Sequence, residues 1–284
     1  MSSLSSPELV RFRLYGLDLN GDPRLGRRLS LASADSTVSA VELDCHVGVV
    51  PPVDAPWRLS DDAAHLRFSA GLIEARRNEH RIVITTHEMP APEAIVHPYL
   101  GFPCAAINRW SGNDSLHGGA FVLNGKAFVL FGARERGKST LLAALAQRGI
   151  EVLTDDLVII DAAQRVMSGP RCIDLRPDAD PSLGGVELNL PNDRGRRRIA
   201  LPPCPDAVPI AGFVELTWGI AQSMDPMSVS AALRLLDEAQ FIPHGPARPT
   251  SFLELLALPA WRYTRPQSTL PPSATVDQLI DSIS

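Results

Sequence analysis

Residues 116–160 read LHGGAFVLNGKAFVLFGARERGKSTLLAALAQRGIEVLTDDLVII. At the centre, GARERGKS (132–139) matches the spacing GxxxxGK[ST], with Gly132, Gly137, Lys138 and Ser139 at the defining places. Glycines in such a loop let backbone N–H groups curl around phosphate oxygens, and the start of the following helix adds a positive dipole. The lysine reaches the β and γ phosphates, and the serine hydroxyl binds magnesium. The flanks support this use of the motif. AFVLF (127–131) is a compact apolar strand that runs straight into the loop. STLLAALAQRG then places Leu141, Leu142 and Leu145 on one helical face, with Gly149 as a stop. EVLT opens another strand and ends in Asp155-Asp156, at the carboxyl end where α/β proteins gather their sites. The segment therefore predicts strand–loop–helix–strand around a nucleotide phosphate site, rather than a glycine-rich loop that merely turns the chain. The candidate nucleotide-binding residues are Gly132, Ala133, Arg134, Glu135, Arg136, Gly137, Lys138, Ser139 and Thr140.

Upstream, GGAFVL and KAFVLF are joined by Asn124-Gly125, a strong two-residue hairpin signal. If Leu123 faces Lys126, the register carried back sets His117 opposite Gly132, at the edge of the phosphate site. Taken alone, His117 would read as a sheet-end histidine bonded to backbone. The chain's 27 basic residues include only two lysines, Lys126 and Lys138, and one of them occupies the motif position.

The remaining sequence sets bounds. At 284 residues and 45% hydrophobic content, the chain can bury a sizeable core as one large or two small domains. A net charge of −5 gives no general preference for nucleic acid or acidic membranes. No apolar run approaches the roughly 18 residues of a spanning helix, and the start lacks a signal-peptide core. Four dispersed cysteines without a CxxC pair indicate neither a zinc cage nor a disulfide framework. A soluble cytoplasmic protein is the expectation.

Residues 1–90 read as a β-rich N-terminal region, with strands around Val10–Leu14 and at 38–45, 65–71, 72–78 and 81–86, and with Gly71 and Asn78 in turns. His46, His65, His80 and His87 share no metal-ligand spacing there. Prolines 90, 92, 98 and 103 suggest a broken helical connector opening the second region, 91–284. Further on come a strand at 209–218, helices at 228–240 and about 250–258, and the short strand AWRYTR. A final helix is expected to start at Thr275, capped with Gln278. Arg194 and Arg196–Arg198 form a basic run that reads as a solvated loop more readily than as a holder of an acidic substrate. Arg171 and Arg176 are candidates for transition-state charge.

The stretch quoted at the outset resembles the catalytic core of the bacterial HPr kinase/phosphorylase family, whose members share a His-Gly strand, a phosphate loop and an Asp-Asp pair in this order. His117 precedes Lys138 by 21 positions, and Asp156 follows it by 18. GPRCIDLRPD and LPAWRYTRP are similar to divergent relatives of that family, some of which are encoded with ribosomally made peptides, including lasso peptides, and phosphorylate a precursor serine. The resemblance implies an α/β fold with a phosphoenolpyruvate-carboxykinase-like P-loop kinase core. It implies an ATP- and Mg2+-dependent kinase acting on a hydroxyl, most readily a serine of a peptide or small protein, and a homo-oligomeric assembly. His117, Lys138 and Asp156 would be the catalytic residues, with Asp156 as base. Ser139 and Asp155 would hold the metal. Thr140 stands where the family usually has Glu, and no Glu-x-Arg-Gly-x-Gly signature follows, which directs the expected acceptor away from HPr itself. Two other readings stay open: a nucleotide-binding switch or assembly factor without transfer chemistry, and a small-molecule kinase.

Overall fold

The computed structural model describes residues 9–27, 29–31, 40–187, 195–243, 245–267 and 272–283. The chain divides into two compact units, Met1–Trp110 and Ser111–Ser284.

In the first unit, period-2 patterning produces an eight-stranded sheet. Its strands are β1 (Val10–Leu14), β2 (Leu17–Gly21), β3 (Ser30–Leu31), β4 (Val41–Val47), β5 (Trp57–Leu59), β6 (Ala63–Phe68), β7 (Gly71–Arg76) and β8 (Arg81–Thr86), in spatial order β3-β1-β2-β4-β8-β7-β6-β5. Phe12 and Leu14 are buried, while Arg11 and Arg13 between them reach Asp18 of β2 at 2.9 and 2.5 Å. Gly71, expected in a turn, instead opens β7 opposite Thr86. A Cβ there would run into the Thr85 carbonyl oxygen, so close backbone approach is what the glycine serves.

The proline-interrupted segment forms α1 (Pro92–Ala94), a kinked stretch (Ile95–Tyr99) in which His97 takes an extended backbone conformation, and α2 (Gly101–Trp110). Leu100, Cys104, Ala105 and Ala106 are buried, and α2 packs on β6 and β7. This segment belongs with the sheet it covers. The division thus falls after Trp110 rather than at the sequence-based boundary of residue 90.

The second unit contains β9 (Asp114–His117), β10 (Gly119–Leu123), β11 (Lys126–Phe131), α3 (Lys138–Gln147), β12 (Val152–Thr154), β13 (Leu157–Ile160), β14 (Arg165–Met167) and β15 (Cys172–Leu175). It continues with β16 (Val186–Glu187), β17 (Arg197–Ala200), β18 (Ala207–Trp218), β19 (Ser223–Pro226), α4 (Val229–Glu238), α5 (Pro249–Leu256), β20 (Ala260–Arg265) and α6 (Pro272–Ile283). A mixed sheet runs β12-β10-β11-β18-β14-β13-β9, with β20 on β18 and β19 on β20; β15, β17 and β16 form a small sheet of their own. β11, β18 and β20 are mutually parallel neighbours.

Ala127, Val129 and Phe131 of β11 pack into one core, Phe128 and Leu130 into the other. A strand buried on both faces explains the unbroken apolar run. Each such aromatic or branched side chain contributes about 1.5–3 kcal/mol on burial. α3 lays Leu141, Leu142 and Leu145 against β10, β12 and β15, and Gly149 ends it with φ +78°. Ser228 caps α4 by accepting the Ala231 N–H at 3.3 Å. α6 begins at Pro272, not at Thr275. Proline suits a first helical turn because its missing N–H would have no partner there. Thr275 is buried, and its carbonyl accepts the Tyr263 hydroxyl at 3.3 Å. Among the described residues, no helix is long and apolar enough to cross a membrane.

Candidate active site

β11 delivers the chain into the loop 132–137, and α3 begins at Lys138. Gly137 is the N-cap with φ +76°, and a Cβ there would stand 2.7 Å from Arg265 Nη2. The left-handed backbone conformation is what demands glycine here. Lys138 Nζ donates to the Gly132 carbonyl at 2.7 Å, which sets the ammonium across the loop mouth. Burial lowers its pKa, against the pull of Asp155 and Asp156. Ala133, Arg134 and Glu135 are exposed, and Arg134 and Glu135 line the mouth of the cleft.

The turn between β12 and β13 carries both carboxylates. Thr154 Oγ1 donates to the Leu157 carbonyl at 2.7 Å, and the Leu157 N–H donates to the Asp155 carbonyl at 3.0 Å. Asp156 has φ +74°, a backbone cost of the kind that concentrates at functional sites. Burial, then the neighbouring charge of Asp156, pushes the Asp155 carboxyl up to about 7, although the Ser139 hydroxyl hydrogen-bonds it. Asp156 Oδ1 lies 3.4 Å from His117 Nδ1, with both side chains half-exposed.

His117 reaches this place by a different route from the one its sequence suggests. The hairpin register holds from Leu123↔Lys126 to Gly119↔Leu130. The chain then leaves the hairpin at Gly118, whose N–H donates to the Asp156 carbonyl at 3.3 Å. His117 ends β9 and faces Leu157 of β13, not Gly132. The imidazole consequently partners the second aspartate rather than the first glycine of the loop.

These groups line one cleft of about 750 Å³ within the second unit. Asp174 of β15 also faces it and forms a buried two-pronged pair with Arg198, both contacts at 2.6 Å. Arg198 is therefore a buried strut and Arg197 a strand residue bonded to the carbonyls of Ala179, Asp180 and Gly184, so these two are no solvated loop; Arg196, just before β17, lines the cleft. Arg194 lies outside the described residues. Arg171 is removed from the candidates for transition-state charge. Its guanidinium is spent on the carbonyls of Val152, Leu153 and Pro202, pinning β12 in place. Arg176 does line the cleft, paired with Glu135 of the loop at 2.7 Å.

Sequence reasoning missed Trp218 and Arg265. They are register partners at the carboxyl ends of parallel β18 and β20, beside the strand that feeds the loop. The Arg265 guanidinium lies 4.4 Å from the Trp218 ring centre and donates to the Arg136 carbonyl at 2.7 Å. Burial brings its pKa down to about 10. The available signal was strand direction: three parallel strands bring Phe131, Trp218 and Arg265 to one sheet edge.

Ser139 and Asp155 offer a hydroxyl and a carboxylate side by side, and among the described residues no group of three or more His, Cys, Asp or Glu side chains could hold an ion. Two hard oxygens suit Mg2+, which keeps several waters and leans on substrate phosphates. The donor set fits.

No protein-family model matches the chain, and no curated protein matches it. Among solved structures, the Hpr(Ser) kinase/phosphatase from Coxiella burnetii aligns over 60% of this chain and 99% of its own, at 14% identity and a TM-score of 0.29. A superposition of that quality carries no weight on fold or function.

Proposed function

We propose that the second unit is an ATP- and Mg2+-dependent kinase that transfers the γ-phosphoryl group to a hydroxyl, most fittingly a serine of a peptide or small protein. One observation carries this reading: Asp156, with His117 behind it, opens onto the same cleft as the phosphate loop, Lys138 and the Ser139–Asp155 pair. A site that only held nucleotide would have no use for a second, half-exposed carboxylate supported by an imidazole.

Phosphoryl transfer asks the protein chiefly for positioning and charge compensation. Lys138, together with the N-terminus of α3, neutralises phosphate charge. Ser139 and Asp155 would hold Mg2+, which when bound offsets the charge developing on the β and γ oxygens. The acceptor oxygen attacks the γ phosphorus as its proton passes to an Asp156 oxygen, and the bond to the leaving β-phosphate oxygen breaks. His117 Nδ1 orients that carboxylate and spreads its charge. A peptide acceptor is supported by the resemblance of residues 116–160 to kinases of this kind, and by the open cleft, which suits an extended segment ordering only a few residues on binding. A lasso-type precursor is the member of that class favoured by the divergent relatives.

The test is incubation with Mg2+, ATP and candidate serine peptides, read by mass spectrometry for a gain of about 80 Da, one phosphoryl group. Labelling of free metabolites alone would replace the peptide with a small-molecule acceptor. Tight nucleotide binding with no transfer to any hydroxyl would leave a switch and sink the kinase.

A further inference from the structure

We propose that Trp218 and Arg265, with Gln222 beside them, form the subsite for the nucleobase of the phosphate donor, which is thereby a nucleoside triphosphate and not a bare polyphosphate. This rests on the reading of the cleft as a kinase site and adds what lies at the far end of the donor. The groups for chemistry, Asp155, Asp156 and His117, come from the β12–β13 turn and β9. Trp218 and Arg265 come instead from the ends of β18 and β20. They meet the loop at Gly137, where the outer edge of the indole is 3.8 Å from the place a Cβ would occupy. A triphosphate laid along the loop with its terminal phosphate beside Asp155 and Asp156 directs its nucleoside away from them, toward this wall of the cleft.

The wall is built for a flat ligand. The Arg265 guanidinium is fixed by the Arg136 carbonyl at 2.7 Å and lies 4.4 Å from the Trp218 ring centre, so two planar groups are immobilised before any ligand arrives. Trp218 remains partly exposed, whereas Val214 and Leu216, which precede it on the same face of β18, are buried. Bases stack on such platforms irrespective of sequence-like detail, because every base has a π face. Gln222 supplies an edge contact. Its Nε2 donates to Tyr263 Oη at 3.2 Å, and Tyr263 in turn donates to the Thr275 carbonyl at 3.3 Å. The anchored amide keeps its oxygen for an amino group such as that of adenine.

Calorimetry with Mg-ATP and with Mg-tripolyphosphate tests this. Trp218→Ala should weaken ATP about tenfold or more, as loss of one stacked base does, and leave tripolyphosphate within about twofold. Trp218→Phe, which keeps a ring, should hold both ligands near wild type. Gln222→Ala alters an exposed side chain and should lose affinity for ATP alone, a readout that stands if Trp218→Ala fails to fold. Equal loss of both ligands in Trp218→Ala with Gln222→Ala silent would make Trp218 a structural residue and overturn the proposal. So would unchanged ATP affinity in both variants, or wild-type protein that binds tripolyphosphate as tightly as ATP. Binding of neither ligand by the wild type would bring down the phosphate site itself, and the subsite with it.

Discussion

The two units are both built on large sheets, yet they place their polar groups in opposite ways. In the first, most strands join their neighbours through hairpins, and charged side chains pair across adjacent strands or with the next turn: Arg11 and Arg13 with Asp18, Arg76 with Glu79 of the β7–β8 turn, and Arg81 with Asp44 across the parallel pair β4–β8. In the second, β11, β18 and β20 run parallel, so their carboxyl ends bring residues 131, 218 and 265 to one edge. Parallel neighbours need long crossovers, and those crossovers carry distant segments to a common rim. The loop, the two aspartates and the Trp218–Arg265 pair all meet there. Polar residues that pair across adjacent strands hold a sheet together; polar residues gathered at the ends of several strands line a cleft.

The largest effect expected from this contrast is at Lys138. Lys138→Ala should lose turnover by about 10³-fold or more, the scale of removing a preorganised charge at a reacting phosphoryl group. Lys138→Arg should fail as well, because a planar guanidinium does not replace a compact ammonium. Arg81→Ala, at an exposed pair in the first unit, should leave turnover unchanged in the same steady-state assay. A comparable loss there would break the division of labour.

Next comes Asp156→Asn, expected to cost about 10²- to 10⁴-fold in kcat while Mg-ATP affinity by calorimetry stays within about twofold. His117→Ala should show a smaller loss in kcat, since the imidazole acts through Asp156. If Asp156→Asn turns over at the native rate, the base lies elsewhere.

A third test probes the first unit on its own terms. Gly71→Ala forces a methyl against the Thr85 carbonyl and should destabilise by about 1–3 kcal/mol, seen as a lower melting temperature. An unchanged melt would show that the two strands can separate without cost.

The smallest expected effect is a pH dependence. The folded-state pKa of Asp155, about 7, lies above its ordinary value of 3.8, so the folded protein holds a proton that the unfolded chain releases. Its contribution to stability is therefore full below about pH 4 and is lost as pH rises toward 7. Asp155→Asn should flatten that decline and raise the melting temperature at neutral pH without Mg2+. Mg2+ competes with the same proton, so its affinity for the wild type should increase as pH rises through 7. A melting curve equally pH-dependent in Asp155→Asn would count against the burial of this carboxyl.

Much of this was legible because it is local. GARERGKS announces a glycine loop ahead of a helix through backbone requirements that act within eight residues, and Asn124-Gly125 sets the hairpin register through turn geometry alone. The continuous apolar run marked β11, and the helix read from residue 228 matches α4, whose first turn Ser228 caps. The position of Asp155-Asp156 at a strand end was likewise readable from the run that precedes it. Local signals misled at Gly71, which read as a turn until Thr85 of another strand accounted for it, and at Thr275, which read as a cap although Pro272, three residues upstream, opens the helix.

By itself, the sequence determined the loop, the helix after it, the hairpin and the pair of carboxylates, since each follows from propensities and contacts spanning a few residues. Only the tertiary structure decided which partner each acquired. His117 left its hairpin for β13 and met Asp156; Arg171 and Arg198 were drawn into buried pairings with carbonyls and Asp174; Arg265 settled on Trp218 beneath the loop. The physical reason is that a buried guanidinium or an imidazole at a strand end takes whatever acceptor the packing of remote strands presents, and strand order and direction are set by the whole core rather than by any window of sequence.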